Sequence, residues 1–309
     1  MEKVLLTREE AIMGLRAMRE VAQADGDESE SEDLLLDSAA SALGLEVKHA
    51  DLAPIDENDA ARAIENPARR ERLVQAMIVM AVADGEVTAP EAQIVRRYAT
   101  ALGVDDARVK NLEQIVEGQF LRLRIDVLRR FPVVRQMAAD TLKHRGLFGL
   151  VKSVAILRGM AHDEVLAWRF KKLGLLPPGT LGREFWVHMT SCGLAMPGEP
   201  HGFNEFAVHH DFTHVLGGYD VTAAGEIQVA AFTAGMKKTD PFALVFATIL
   251  SFHLGLRIHP VAEPSRGNLD IARAVRAFER GMGMTRDLTV GWDYWKDAEK
   301  PLAAFRAEV

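Results

Sequence analysis

The chain has 309 residues, 48% of them hydrophobic, with 37 Lys/Arg against 44 Asp/Glu and a formal net charge of −7. That length and apolar content suffice for two domains with cores of their own, and the acidic balance excludes general nucleic-acid binding, which needs cations clustered along phosphates. Cys192 is the single cysteine, which excludes an intramolecular disulfide, and without an evident basic partner it reads as a small packed side chain rather than a reactive thiol.

Met1 to Ile12 carries Glu2, Lys3, Arg8, Glu9 and Glu10 and lacks the apolar run of a secretory signal, which predicts a cytoplasmic protein. Residues 1 to 119 are acidic, with 13 Lys/Arg against 25 Asp/Glu, and they contain a duplication. Ala24-Asp25-Gly26 and Ala42-Leu43-Gly44 recur as Ala83-Asp84-Gly85 and Ala101-Leu102-Gly103. Glu32 matches Glu91 and Ala17-Met18 matches Ala76-Met77, always 59 residues apart. Each copy reads as helix, Asp-Gly break, acidic loop and helix, because apolar residues recur at three and four and carboxylates open the second helix. Two copies can pack as one bundle, which defines a first domain over residues 1–118.

This segment resembles the tellurite-resistance TerB-like family, whose helical domains contain such Ala-Asp-Gly repeats. The resemblance implies a link to stress responses and metal binding through acidic residues, for which Asp25, Asp27, Glu28, Glu30, Glu32 and Asp33 are the candidates. A charge run of this kind is ordinarily a solvated loop. Leu36 also stands where a calcium loop beginning at Asp25 would need its twelfth-position Glu.

Phe120 to Met160 reverses the charge and reads as two or three helices, interrupted at Pro132 and around Gly146-Leu147-Phe148-Gly149. Arg122, Arg124, Arg129, Arg130, Arg135, Lys143, Arg145 and Lys152 alternate with apolar residues. Two readings fit: contact with an anionic membrane surface, or docking against the acidic domain.

The chemistry is concentrated further on. In His210-Asp211-Phe212-Thr213-His214, the two histidines at i and i+4 share one helix face and can reach one cation. Asn204 is a candidate N-cap for a helix running to Leu216, Gly217-Gly218 a stop, and Asp220 or Thr222 a cap for the next helix. In such an antiparallel hairpin, positions equidistant from Tyr219 lie opposite each other. That places Glu226 level with the midpoint of His210 and His214, as a third metal ligand. Asp211 is a candidate fourth ligand or a base beside the metal. His209, His188 and His201 read as supporting or surface residues. Two imidazoles and one or two carboxylates suit zinc, manganese or iron.

Pro241 to Leu256 has no Asp, Glu, Lys or Arg. At ~1.5 Å per residue it would reach about 24 Å, short of a roughly 30 Å hydrocarbon core. It predicts a buried helix whose Phe242, Phe246 and Phe252 could line a groove for an isoprenoid tail.

The pattern His-Asp-x-x-His-x11-Glu is preceded by Leu176-Pro177-Pro178-Gly179-Thr180-Leu181-Gly182-Arg183-Glu184-Phe185 and followed by the tail Trp292-Asp293-Tyr294-Trp295 to Arg306. With these flanks it resembles the coenzyme Q biosynthesis protein 4 family, over about residues 170 to 309. The resemblance implies an all-helical second domain, residues 119–309, holding a divalent metal, with zinc favoured, through His210, Asp211, His214 and Glu226. It implies a role in ubiquinone synthesis on a polyprenylated aromatic ring, with oxidative decarboxylation at ring carbon one as the candidate reaction. Arg183 is then a candidate partner for the substrate carboxylate, with a structural salt bridge as the alternative. Implied partners are other quinone-biosynthesis proteins, an isoprenoid lipid and further copies of the chain, on the inner face of the membrane. Two other functions compete. One is a lipid-binding scaffold with a structural metal; the other is a His-Asp doublet phosphohydrolase, which would also need His188 and Asp240. No serine-triad elbow, phosphate loop or dinucleotide fingerprint is present.

Overall fold

The computed structural model describes residues 6–26, 28–131, 163–200, 202, 208–238, 240–258 and 262–309. Pro132, Arg135, Lys143, Arg145, the 146–149 break, Lys152, His201, the Asn204 cap and Asp27 lie outside them. The protein is all-helical: the described residues form fifteen α-helices and no strand. Among them, no helix is long and apolar enough to cross a membrane.

The chain divides into two compact units. The first is built by the duplication. Its helices α1 (Arg8–Ala22) and α2 (Glu30–Ala42) repeat as α4 (Pro67–Met80) and α5 (Ala89–Leu102), with α3 (Glu57–Ala63), α6 (Ala107–Val116) and α7 (Phe120–Leu128) completing the series. The repeat extends to the caps. Ser29 and Thr88 each accept from the backbone N–H three residues on, while Glu32 and Glu91 reach back to the cap N–H, so both copies close a capping box. Gly26 and Gly85 both take positive φ, +88° and +96°, in the Asp-Gly break that a side chain would strain. Equivalent positions also meet: Arg69 donates to Glu10, 59 residues earlier, at 2.6 Å.

This first unit is not continuous in sequence, since it also includes Phe246–Ile258 and Pro264–Glu279. His253 joins these pieces to the second repeat. It is buried, with Nε2 3.1 Å from the Ala83 carbonyl and Nδ1 accepting from the Leu269 N–H at 3.2 Å. The ring is therefore neutral, with its proton on Nε2.

The second unit comprises Leu128–Val245, His259–Glu263 and Arg280–Val309. It contains α8 (Glu164–Lys172), α9 (Leu181–Ser191), α10 (Val208–Gly217), α11 (Ala223–Met236), α14 (Tyr294–Asp297) and α15 (Leu302–Glu308). Helices α12 (Phe242–Phe252) and α13 (Ile271–Met282) contribute residues to both units. An aromatic cluster fills the core of the second unit: Phe170, Phe185, Phe212 and Phe305 are fully buried, and Trp292 and Tyr294 nearly so. Trp292 stacks on Phe305 with centroids 5.6 Å apart and donates its indole N–H to Asp297 at 2.8 Å.

Candidate metal centre

Phe212 sets the orientation of the ligand-type residues. Its ring stacks on Phe185 at 4.2 Å and lies 5.1 Å from Tyr294, so it is committed to the aromatic core. Burying such a ring contributes about 2–3 kcal/mol. At about 100° per residue, His210 and His214 each stand about 200° round the helix from Phe212. Anchoring Phe212 therefore turns both histidines to the other side of α10, where α11 returns.

The turn between the two helices fixes their register. Gly218 has φ +70° and donates its N–H to the His214 carbonyl at 2.7 Å. Thr222 caps α11 by accepting from the Gly225 N–H at 3.1 Å, and Asp220 accepts from the Thr222 N–H at 3.0 Å. Gly225 packs so closely on the Asp220 carbonyl that a Cβ has no room there. The next residue is Glu226, in the first turn of α11, where the helix dipole favours a carboxylate. At the other end of the turn, guanidinium groups satisfy the last carbonyls of α10. Arg306 donates to Val215 and Leu216 at 2.7 and 3.0 Å, and Arg280 donates to Gly217 at 3.0 Å.

Three donor atoms converge as a result. His210 Nε2 is 3.1 Å from Glu226 Oε2, His214 Nε2 is 3.4 Å from Glu226 Oε1, and the two Nε2 atoms are 3.2 Å apart. The ligand-type atoms of His210, His214 and Glu226 all lie within 4.8 Å of one another. His214 Nδ1 is 3.2 Å from the Tyr219 carbonyl. That contact requires the proton on Nδ1 and leaves the Nε2 lone pair facing the other two donors, as in many histidine–metal sites.

The electrostatics follow from burial around one anion. Burial pushes the Glu226 carboxyl up, but the neighbouring imidazoles of His210 and His214 outweigh it and hold the group far below the ordinary carboxylate range. Burial likewise favours a neutral His210, yet the hydrogen bond and charge of Glu226 raise its pKa. Asp211 is pushed up to about 6 by burial, which exceeds the lowering by His210 and His214. His188 is held down to about 4 by burial, with His214 and His210 acting in the same direction. The residues fit a cation in their donor chemistry: two imidazole nitrogens and a carboxylate oxygen suit zinc, iron or manganese. Two buried atoms at the site, Asp211 Oδ2 and His188 Nε2, moreover have no hydrogen-bond partner.

The structure thus brings His210, His214 and Glu226 together. Asp211 is buried on the same helix but does not belong to the converging group. Arg183 donates to the Gly174 carbonyl and lies over the Trp186 ring at 4.8 Å, so its guanidinium holds the turn after α8. Phe242 and Phe246 are buried and Phe252 is half-buried. Phe242 belongs to the second unit, whereas Phe246 and Phe252 belong to the first. Asp240 is not in the converging group, and the acidic loop forms no such group among the described residues. Cys192 is exposed at the C-cap of α9, not packed as the sequence predicts, because the helix ends there and the chain turns at Gly193 with positive φ.

Sequence reasoning names His188 only as a supporting or surface residue and misses its contact: the ring stacks on that of His214 with centroids 5.2 Å apart and 24° between planes. It also misses Arg280 and Arg306 as caps of the histidine helix. No local signal marks them, since all three reach the site from distant helices.

Residues 48–114 match the family described as Tellurite resistance protein TerB. The matched stretch holds the second repeat and covers well under half of the chain. No curated protein matches the chain. What fold and site define is an all-helical protein with a TerB-type segment in one unit and a two-histidine, one-glutamate centre in the other.

Proposed function

We propose that the second unit binds one divalent transition metal through His210, His214 and Glu226 and acts in ubiquinone or related prenylquinone biosynthesis on a polyprenylated aromatic ring. The observation that carries the metal part is the convergence of three donor atoms from the two helices of one hairpin, with His214 oriented by the Tyr219 carbonyl. The quinone part is supported by the motif His-Asp-x-x-His-x11-Glu and its flank Leu176 to Phe185. The candidate reaction is oxidative decarboxylation at ring carbon one. Bound zinc would supply Lewis acidity alone, while iron or manganese would also supply redox chemistry.

The chain's own residues bind and orient. His210, His214 and Glu226 hold the cation, and Asp211, with a raised pKa and an unpartnered oxygen, can hold a proton beside it. Association with an anionic membrane surface belongs to the same proposal and is supported by Phe120, Leu121 and Ile125, exposed on α7 beside Arg122. The test is elemental analysis with native mass spectrometry of lipids carried by the purified protein. A prenylated ring is the expected result, and iron or manganese beside it would support the enzyme. Zinc with a simple isoprenoid would instead favour a scaffold, and no lipid in any preparation would count against the quinone reading.

A further inference from the structure

His188 reaches the centre from α9, outside the metal motif. Its Nε2 is buried without a hydrogen-bond partner, and its ring stacks on that of His214. It is within electrostatic reach of His210, His214 and Glu226, yet it is not one of the three residues whose donor atoms converge. A buried ring nitrogen in this position has given up its hydrogen bond to water, a loss that is made good when a polar group arrives. Three protein donors leave a four-coordinate cation one position for an oxygen from outside the chain. The two needs match.

We infer that His188 is a ligand-binding residue of the centre, its Nε2 hydrogen-bonding an oxygen of a small hydroxyl- or carboxylate-bearing molecule held at His210, His214 and Glu226. The inference rests on the metal reading above and not on the quinone reading. In this role His188 adds specificity that the three metal-type residues lack, because a cation accepts any small donor whereas a fixed ring nitrogen selects one with a hydrogen-bonding atom beside the bound oxygen.

The test uses the full-length protein loaded with cobalt(II), whose visible absorption reports its coordination, and acetohydroxamate as the oxygen-donor probe. His188→Phe keeps a ring to stack on His214 and removes both nitrogens. Its cobalt(II) affinity is expected to stay within about threefold of the unaltered protein, while acetohydroxamate binds the cobalt form about tenfold more weakly. His188→Gln, which keeps a polar atom at the position, is expected to recover most of that loss. Equal probe affinity in His188→Phe and the unaltered protein would overturn the inference. So would a fall in cobalt(II) affinity as large as that of His214→Ala, since His188 would then be a metal ligand itself. Both of those results leave the metal reading standing; an unaltered protein that takes up no cobalt(II) would remove both.

Discussion

Glu91 and Glu226 are both carboxylates in the first turn of a helix, and their surroundings drive them in opposite directions. Glu226 faces two imidazoles and stays ionised. Glu91 is buried in the first unit, where burial, with Asp84 and Glu32 adding to it, lifts its pKa from 4.5 to about 7 against the hydrogen bonds from Thr88. Between those two values the folded protein holds a proton that the unfolded chain has released. Stability therefore falls as pH rises from about 4.5 to about 7 and levels off above. Glu91→Gln keeps an acceptor for the Thr88 N–H, which Glu91 now receives at 2.7 Å, and removes the buried charge. Urea midpoints are expected to show this variant gaining about 1–3 kcal/mol on the unaltered protein between pH 5 and pH 8. Identical pH dependence in the two proteins would contradict this account of Glu91.

At the scale of the element, the centre depends on the register of the α10–α11 hairpin. Gly225 allows the start of α11 to lie against the Asp220 carbonyl. Gly225→Ala is expected to shift that start and move Glu226 from the two histidines, weakening metal affinity by about 10–100-fold while far-ultraviolet circular dichroism keeps its helical shape. Unchanged affinity would mean that the turn does not set the register. Much of this element is legible in sequence, because helical periodicity places His210 and His214 on one face and the turn residues Gly217, Gly218 and Thr222 locate the reversal. The duplicated helices are legible for the same reason, since their caps and glycines recur at a fixed offset. What cannot be read locally is the set of groups arriving from elsewhere. His188 stacks from α9, and Arg280 and Arg306 cap α10 from the end of the chain, contacts that carry no spacing signature.

For the whole molecule, the two compact units follow from how apolar surface is distributed. Residues 246–258 and 264–279 belong with the N-terminal helices although they follow the metal motif in sequence. The uncharged run from Pro241 predicts burial but not which core receives it, and His253 pairs with the Ala83 carbonyl and the Leu269 N–H across long sequence separations. A boundary sought by composition falls near residue 118 because the charge changes there, whereas packing follows side-chain contact. The TerB-type segment, residues 48–114, lies wholly within this first unit. The central claim concerns the other unit and is tested most directly by counting metal in the intact protein. Inductively coupled plasma mass spectrometry after dialysis against micromolar zinc is expected to give one equivalent per chain in the unaltered protein and almost none in His214→Ala and Glu226→Ala, with all three equally helical. Equal metal in the unaltered protein and both variants would contradict the account.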